Sequence, residues 1–201
     1  MGDVMQLHLS TAPTVEPLTT AEAKDHLRVT TADEDTLIDA YVKAARQAVE
    51  VHTRLQLITA TWIARWDDWS DAEVEVDRIL LPRPPLQSVS SVKYYDNSGT
   101  QQTMSADDYD VDTYNFPGSV VLGYEETWPT NRGHVNDIEI TYVAGYGDSG
   151  SDVPEPIRQA LRLLVGHLYE NRESVTVDGT PRELPQAVEY LLYPYRETGV
   201  W

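Results

Sequence analysis

Residues 33–66, DEDTLIDAYVKAARQAVEVHTRLQLITATWIARW, change their hydrophobic period partway along. In the first part, Ile38, Tyr41, Val42, Ala45, Val49 and His52 recur three and four apart, the spacing that gathers one stripe on an α-helix. Lys43, Arg46, Gln47 and Glu50 fall on the other face. The acidic opening Asp33-Glu34-Asp35 suits the positive end of a helix dipole, so the pattern predicts a helix over 33–53. The last part, Thr61-Trp62-Ile63-Ala64-Arg65-Trp66, is rich in aromatic and β-branched residues and reads as a strand. One chain therefore carries helical and strand territory in separate blocks.

Downstream, the strand character persists to residue 146. Arg78–Leu81, Val89–Tyr95, Thr100–Met104, Tyr109–Thr113, Ser119–Leu122 and Asp137–Val143 are predicted strands of an antiparallel set, with Asp96-Asn97-Ser98-Gly99 as a hairpin turn. Pro82-Arg83-Pro84-Pro85 reads as a stiff extended connector, since proline cannot join a central ladder. Ala144 to Ser151 is glycine-rich and reads as a flexible linker.

Upstream, Thr19 and Glu22 have capping-box spacing, which predicts a short helix running to about Arg28. Residues 1–17 are polar and proline-interrupted and read as an N-terminal arm. A third helix opens at Asp152-Val153-Pro154-Glu155-Pro156, with Ile157, Leu161, Leu164, Val165 and Leu168 as its buried stripe and Arg158 and Arg162 near solvent. Glu173–Pro181 reads as a mobile loop, and a last helix runs from Pro185 to Leu192. The expected fold is α+β: a small helical bundle drawn from both ends of the chain, with an inserted antiparallel β subdomain. Its parts are the arm (1–17), helical halves (18–54 and 147–196), the β subdomain (55–146) and a tail (197–201).

Composition narrows function. The 201 residues include no cysteine, which excludes disulfides, thiolate catalysis and cysteine-bound zinc. No run of about 18 apolar residues is present to span a membrane, and the N-terminus lacks the plan of a secretory signal, so cytoplasmic synthesis is expected. Thirty-three acidic against 15 basic residues give a formal charge of −18, a surface that repels phosphate-rich partners.

A search for chemistry finds no active site, cofactor cradle or metal motif. No Gly-x-Ser-x-Gly elbow occurs, and no phosphate-binding glycine loop. Asp67, Asp68, Asp71, Glu73, Glu75 and Asp77 form the densest carboxylate cluster; a cation site or a hydrolase pair is the sharp reading, and a solvated hairpin edge the favoured one. Asp108, Asp110 and Asp112 share one strand face without the glycine turn and distal Glu of a calcium loop. His167 and Glu170 read as a local hydrogen-bonding pair. Trp62 and Trp66 share strand parity, and Trp69 takes the opposite one if the strand reaches it. With Trp128 they are either core anchors or a sugar-stacking platform. Trp201, the final residue, is an apolar end that either tucks back or docks on a partner.

Four segments in order resemble the head-tail connector (adaptor) proteins of tailed bacteriophages, in the subgroup with a β insertion that also occurs in prophages and gene-transfer particles. They are Leu18 to Val29, Leu81 to Val89 with Val92 to Asp96, Val153 to Ala160 with Tyr169 to Glu173, and Leu191-Leu192-Tyr193-Pro194-Tyr195-Arg196. The resemblance implies a non-enzymatic virion protein of the neck, without cofactors, forming a ring of twelve beneath the portal. Such a ring would extend the DNA channel, pass DNA through its lumen without specific binding, and receive a neck or tail protein such as a stopper or tail terminator. It implies that Leu191, Leu192, Tyr193, Pro194, Tyr195 and Arg196, with Val200 and Trp201, engage the portal. The competing expectation is a carbohydrate- or host-surface-binding module of a virion tail.

Overall fold

The computed structural model describes residues 5–75, 77–171 and 185–197. In chain order they form β1 (Gln6–Thr11), α1 (Thr20–Leu27), α2 (Asp35–Thr53), β2 (Ala60–Trp66), α3 (Trp69–Ala72), β3 (Glu73–Glu75), β4 (Arg78–Leu80), β5 (Leu86–Tyr95), β6 (Gln101–Thr103), β7 (Tyr109–Asp112), β8 (Ser119–Leu122), β9 (Ile138–Ala144), α4 (Glu155–Glu170) and α5 (Gln186–Leu192). The fold is α+β. The described chain divides into a β unit, residues 5–13 and 59–146, and a helical unit, residues 14–58 and 147–197.

In the helical unit, α1 begins with the expected capping box: the Glu22 amide donates to Thr19 Oγ1 at 3.2 Å, and the Thr19 amide donates to Glu22 Oε2 at 2.9 Å. The α2 stripe Ile38, Val42, Ala45 and Val49 is buried, as its period requires. Arg46 and Glu50, expected on the solvent face, are buried as well. Arg46 Nε donates to Glu16 Oε2 at 2.6 Å and Nη1 to Glu50 Oε2 at 2.7 Å. Glu50 Oε1 accepts from Gln56 Nε2 at 3.0 Å and from the Leu57 amide at 3.1 Å. Burial opposes the Arg46 charge, but the Glu16 hydrogen bond and the two carboxylates outweigh it and raise its pKa. The chain on either side of α2 supplies these partners, which a helical period cannot register.

On α4, Ile157, Ala160, Leu161, Leu164 and Val165 are buried, and the helix packs on α1, α2 and α5. Arg158 and Arg162 are mostly covered, because both reach carboxylates: Arg158 pairs with Glu22 and Glu155, and Arg162 Nη1 lies 2.5 Å from Glu155 Oε1. The Thr19 amide hydrogen bond and the nearby Arg158 hold the Glu22 carboxyl below its usual range. Tyr169 OH donates to Glu34 beside the start of α2. The glycine-rich stretch before α4 is a built turn rather than a flexible linker. Ser149 and Asp152 form a capping box around the 3-10 turn Gly150–Asp152, and Ala144 is the buried last residue of β9. The expected loop Glu173–Pro181 lies outside the described residues.

The β unit contains two antiparallel sheets among the described residues, in strand orders β1-β2-β9-β5-β6 and β3-β4-β8-β7. Strand β9 alternates cleanly, burying Ile138, Ile140, Tyr142 and Ala144. These side chains join Ala64, Trp66, Ile79, Leu81, Val92 and Val120 in one core cluster. Tyr142 OH, fully buried, donates to the Pro82 carbonyl at 2.8 Å. Two expectations change here. Part of the presumed arm is strand β1, pairing Leu7 with Ala64 and Leu9 with Trp62; its alternating leucines need β2 beside them to become meaningful. The Pro82–Pro85 connector turns rather than extends, with Arg83 in the left-handed region at φ 63° and its guanidinium 5.5 Å over the Trp62 ring.

Candidate docking surface

Asp67, Asp68 and Asp112, from the two carboxylate clusters, each accept hydrogen bonds from nearby backbone. Asp67 Oδ1 accepts from the Asn136 amide at 2.8 Å. Asp68 accepts from the Ser70 amide at 3.0 Å and hydroxyl at 2.8 Å; these bonds, the backbone one foremost, pull its pKa down. Asp112 caps the turn after β7. The His167 ring contacts Asn171 Nδ2 at 3.3 Å. Among the described residues, no three His, Asp or Glu side chains are grouped to hold a metal ion. No described helix is long and apolar enough to cross a membrane.

The tryptophans are anchors. Trp66 and Trp69 are buried, and Trp62 and Trp128 are half-buried. Strand β2 ends before Trp69, which sits in α3, stacks on Trp128 at 4.6 Å and donates Nε1–H to the Pro129 carbonyl at 2.7 Å. A sugar platform needs several exposed rings on one β face, and these four do not supply it. Trp201 lies outside the described residues.

Exposed apolar surface in the helical unit gathers instead at α5. Val188 and Leu192, four apart, point into the core, so Tyr190 between them points outward and is 82% exposed. Pro194 follows at once, and the chain passes into a 3-10 turn, Tyr193–Tyr195, with Tyr193 80% exposed. The Glu197 amide then donates to the Thr53 carbonyl at 2.9 Å, which fixes where this segment leaves the unit. Between α5, this turn and the start of α4 lies an open groove of about 610 Å³, lined by Pro156, Tyr190, Leu191, Tyr193, Pro194 and Tyr195, with Gln186 and Glu189 at its polar side. Aromatic and proline surfaces in a shallow groove suit recognition of a protein segment.

Of the residues expected to engage the portal, Leu191, Tyr193, Pro194 and Tyr195 line this groove, and Arg196 lies exposed beside it. Leu192 is fully buried and supports the surface from beneath. Val200 and Trp201 lie outside the described residues. Tyr190 and Pro156 were missed. The first was legible in the spacing of Val188 and Leu192; the second comes from 34 positions before Tyr190 and joins only in the fold.

A β unit of two antiparallel sheets and a helical unit with an aromatic groove at its last described helix define an α+β protein with a docking-type surface. The chain belongs to the head completion protein family, whose model matches residues 16–198. It is similar to a chain from the neck of an empty gene transfer agent particle treated with C6 symmetry, at 28% identity and a TM-score of 0.77, over 98% of this chain and 97% of that one. It is also similar to chains from the virion of the native particle (27%, TM-score 0.76) and from the native neck treated with C12 symmetry (27%, TM-score 0.73), with the same coverage. Among curated proteins none matches.

Proposed function

We propose that this chain is a non-catalytic structural adaptor at the head-tail neck of a tailed-phage-type virion, and that it assembles as a ring of twelve under the portal. The observation that carries the reading is the near end-to-end correspondence with neck chains of gene transfer agent particles, 98% of this chain against 97% of theirs. The C6 and C12 symmetries of those necks support a ring. In this role the ring extends the portal channel and receives the next neck or tail protein. The charge of −18 then has a physical use, since carboxylates facing a lumen repel passing DNA and leave it no site to adhere.

The portal-facing element in this proposal is the α5 groove with the following turn, through Tyr190, Leu191, Tyr193, Pro194, Tyr195 and Arg196, joined by Val200 and Trp201. Exposed aromatics on a short, anchored helix lose little conformational freedom on docking. The test is co-sedimentation with the cognate portal, comparing the full chain, a chain ending at Leu184, and a Tyr190→Ser/Tyr193→Ser variant. The full chain is expected to bind, the truncated chain to lose binding, and the double variant to bind at least about 10-fold more weakly while keeping its melting temperature. Failure of the full chain to bind the portal overturns the adaptor reading.

A further inference from the structure

The β unit exposes aromatic rings at both ends of the β7–β8 ribbon, the outer edge of its smaller sheet. Tyr114 is 99% exposed and Phe116 49%, both on the connection from β7 to β8; Tyr124, 90% exposed, follows the far end of β8. These rings stand on backbone that is held in place. Asp112 accepts from the Tyr114 amide at 3.0 Å, from the Asn115 amide at 3.1 Å and from the Asn115 side chain at 2.5 Å. Behind the turn, a Cβ at Gly118 would lie 2.5 Å from Leu86 Cβ, so the connection is seated directly on β5. At the other end, the Gly123 amide donates to the Asp108 carbonyl at 2.9 Å, and the Glu126 amide to the Gly123 carbonyl at 3.1 Å. Rings on a preset backbone cost little entropy to dock.

Charge decides what could cover them. Between Lys93 and Arg132 the sequence has no basic residue and seven acidic ones, Asp96, Asp107, Asp108, Asp110, Asp112, Glu125 and Glu126. Of these, Asp107, Asp110, Glu125 and Glu126 are exposed along the ribbon. Acids on an edge strand guard it against stray pairing, which accounts for Asp110. Guarding does not account for three large rings left in water beside them. Nucleic acid and anionic lipid are repelled by such an edge, and a further copy of this chain, with 15 basic against 33 acidic residues, has little basic surface to offer it. The occupant that fits is a different protein whose surface carries lysine or arginine and apolar pockets for the end rings.

We propose that the β7–β8 ribbon is a second docking element, taking a basic surface with apolar pockets for its end rings on the component that follows this ring in the neck. The inference rests on the neck reading for the identity of that partner. It assigns the α5 groove and the ribbon to two different neighbours.

The test titrates the purified next neck component onto the free chain and onto the chain bound to its portal, over a range of salt. A Tyr114→Ser/Phe116→Ser/Tyr124→Ser variant is expected to melt like wild type and to bind the portal like wild type. Its affinity for the next component should fall at least about 30-fold, the loss of a hot spot worth about 2 kcal/mol. Asp110→Lys and Glu125→Lys/Glu126→Lys should weaken the same binding and flatten its salt dependence. Unchanged affinity of the aromatic variant overturns the inference, as does a loss confined to ring formation, which would make the ribbon a contact between copies. Failure of the wild-type chain to bind the portal counts against the neck reading alone, because the free-chain titration still reads the ribbon.

Discussion

Replacing Arg46 by methionine tests the central claim about the helical unit, that its core is closed by a buried charge network. The side chains of Arg46 and Glu50 are 7% and 10% exposed, against 29% for Glu16. Removing the guanidinium takes the Arg46 partner from Glu50 while its bonds to Gln56 and the Leu57 amide remain, in a site that water scarcely reaches. Glu16 can turn toward solvent, so most of the cost falls on Glu50. Removing one partner of a buried ion pair costs up to about 3–5 kcal/mol. With a urea dependence of about 2–3 kcal/mol per molar, the midpoint should move down by about 1–2 M.

Far-UV circular dichroism follows the helices, while Trp62, Trp66, Trp69 and Trp128 report the β unit, because residues 14–58 and 147–197 contain no tryptophan. The shift should therefore appear in the dichroism transition. Adding Glu50→Gln to Arg46→Met removes the buried carboxylate charge while keeping an acceptor for Gln56 and Leu57, and should recover most of the loss. A shift below about 1 kcal/mol, or no recovery in the double variant, would refute the argument that this network is buried and mutually dependent.

Two further outcomes follow from single groups. Tyr142→Phe removes a donor to Pro82 inside the β core and should cost about 1–2 kcal/mol, read as an earlier tryptophan fluorescence transition with no change in the portal-binding assay. Asp96, hydrogen-bonded by Ser98, Gln102 and Thr100 in the β5–β6 turn, titrates at about 2 instead of 3.8. A depressed carboxylate pKa stabilises the folded state above the unfolded value and loses that effect as pH falls through the folded one. The melting temperature gap between wild type and Asp96→Ala should accordingly be full above pH ~4 and close toward pH ~2; a gap that is constant or widens on acidification refutes it.

What the sequence determined by itself is what neighbours along the chain decide. The Thr19–Glu22 capping box, the α2 and α4 stripes and the alternation of β9 all depend on residues within a few positions of each other, where the backbone period is the only geometry needed. The order of blocks was enough for an α+β chain with most of its strands in the middle. The tertiary structure decided everything that needs two distant segments at once. Strand β1 has a weak alternation that becomes a strand only with β2 to take its hydrogen bonds. Arg46 and Glu50 look like solvent-facing charges until Glu16 and Gln56 are folded over them. Ser149 and Asp152 convert a glycine-rich stretch into a fixed turn. The α5 groove needs Pro156 from one helix and Tyr190 from another. Whether a polar side chain is solvated or buried, and whether an aromatic ring is core or contact, is set by what the rest of the chain brings to it, and no local period carries that information.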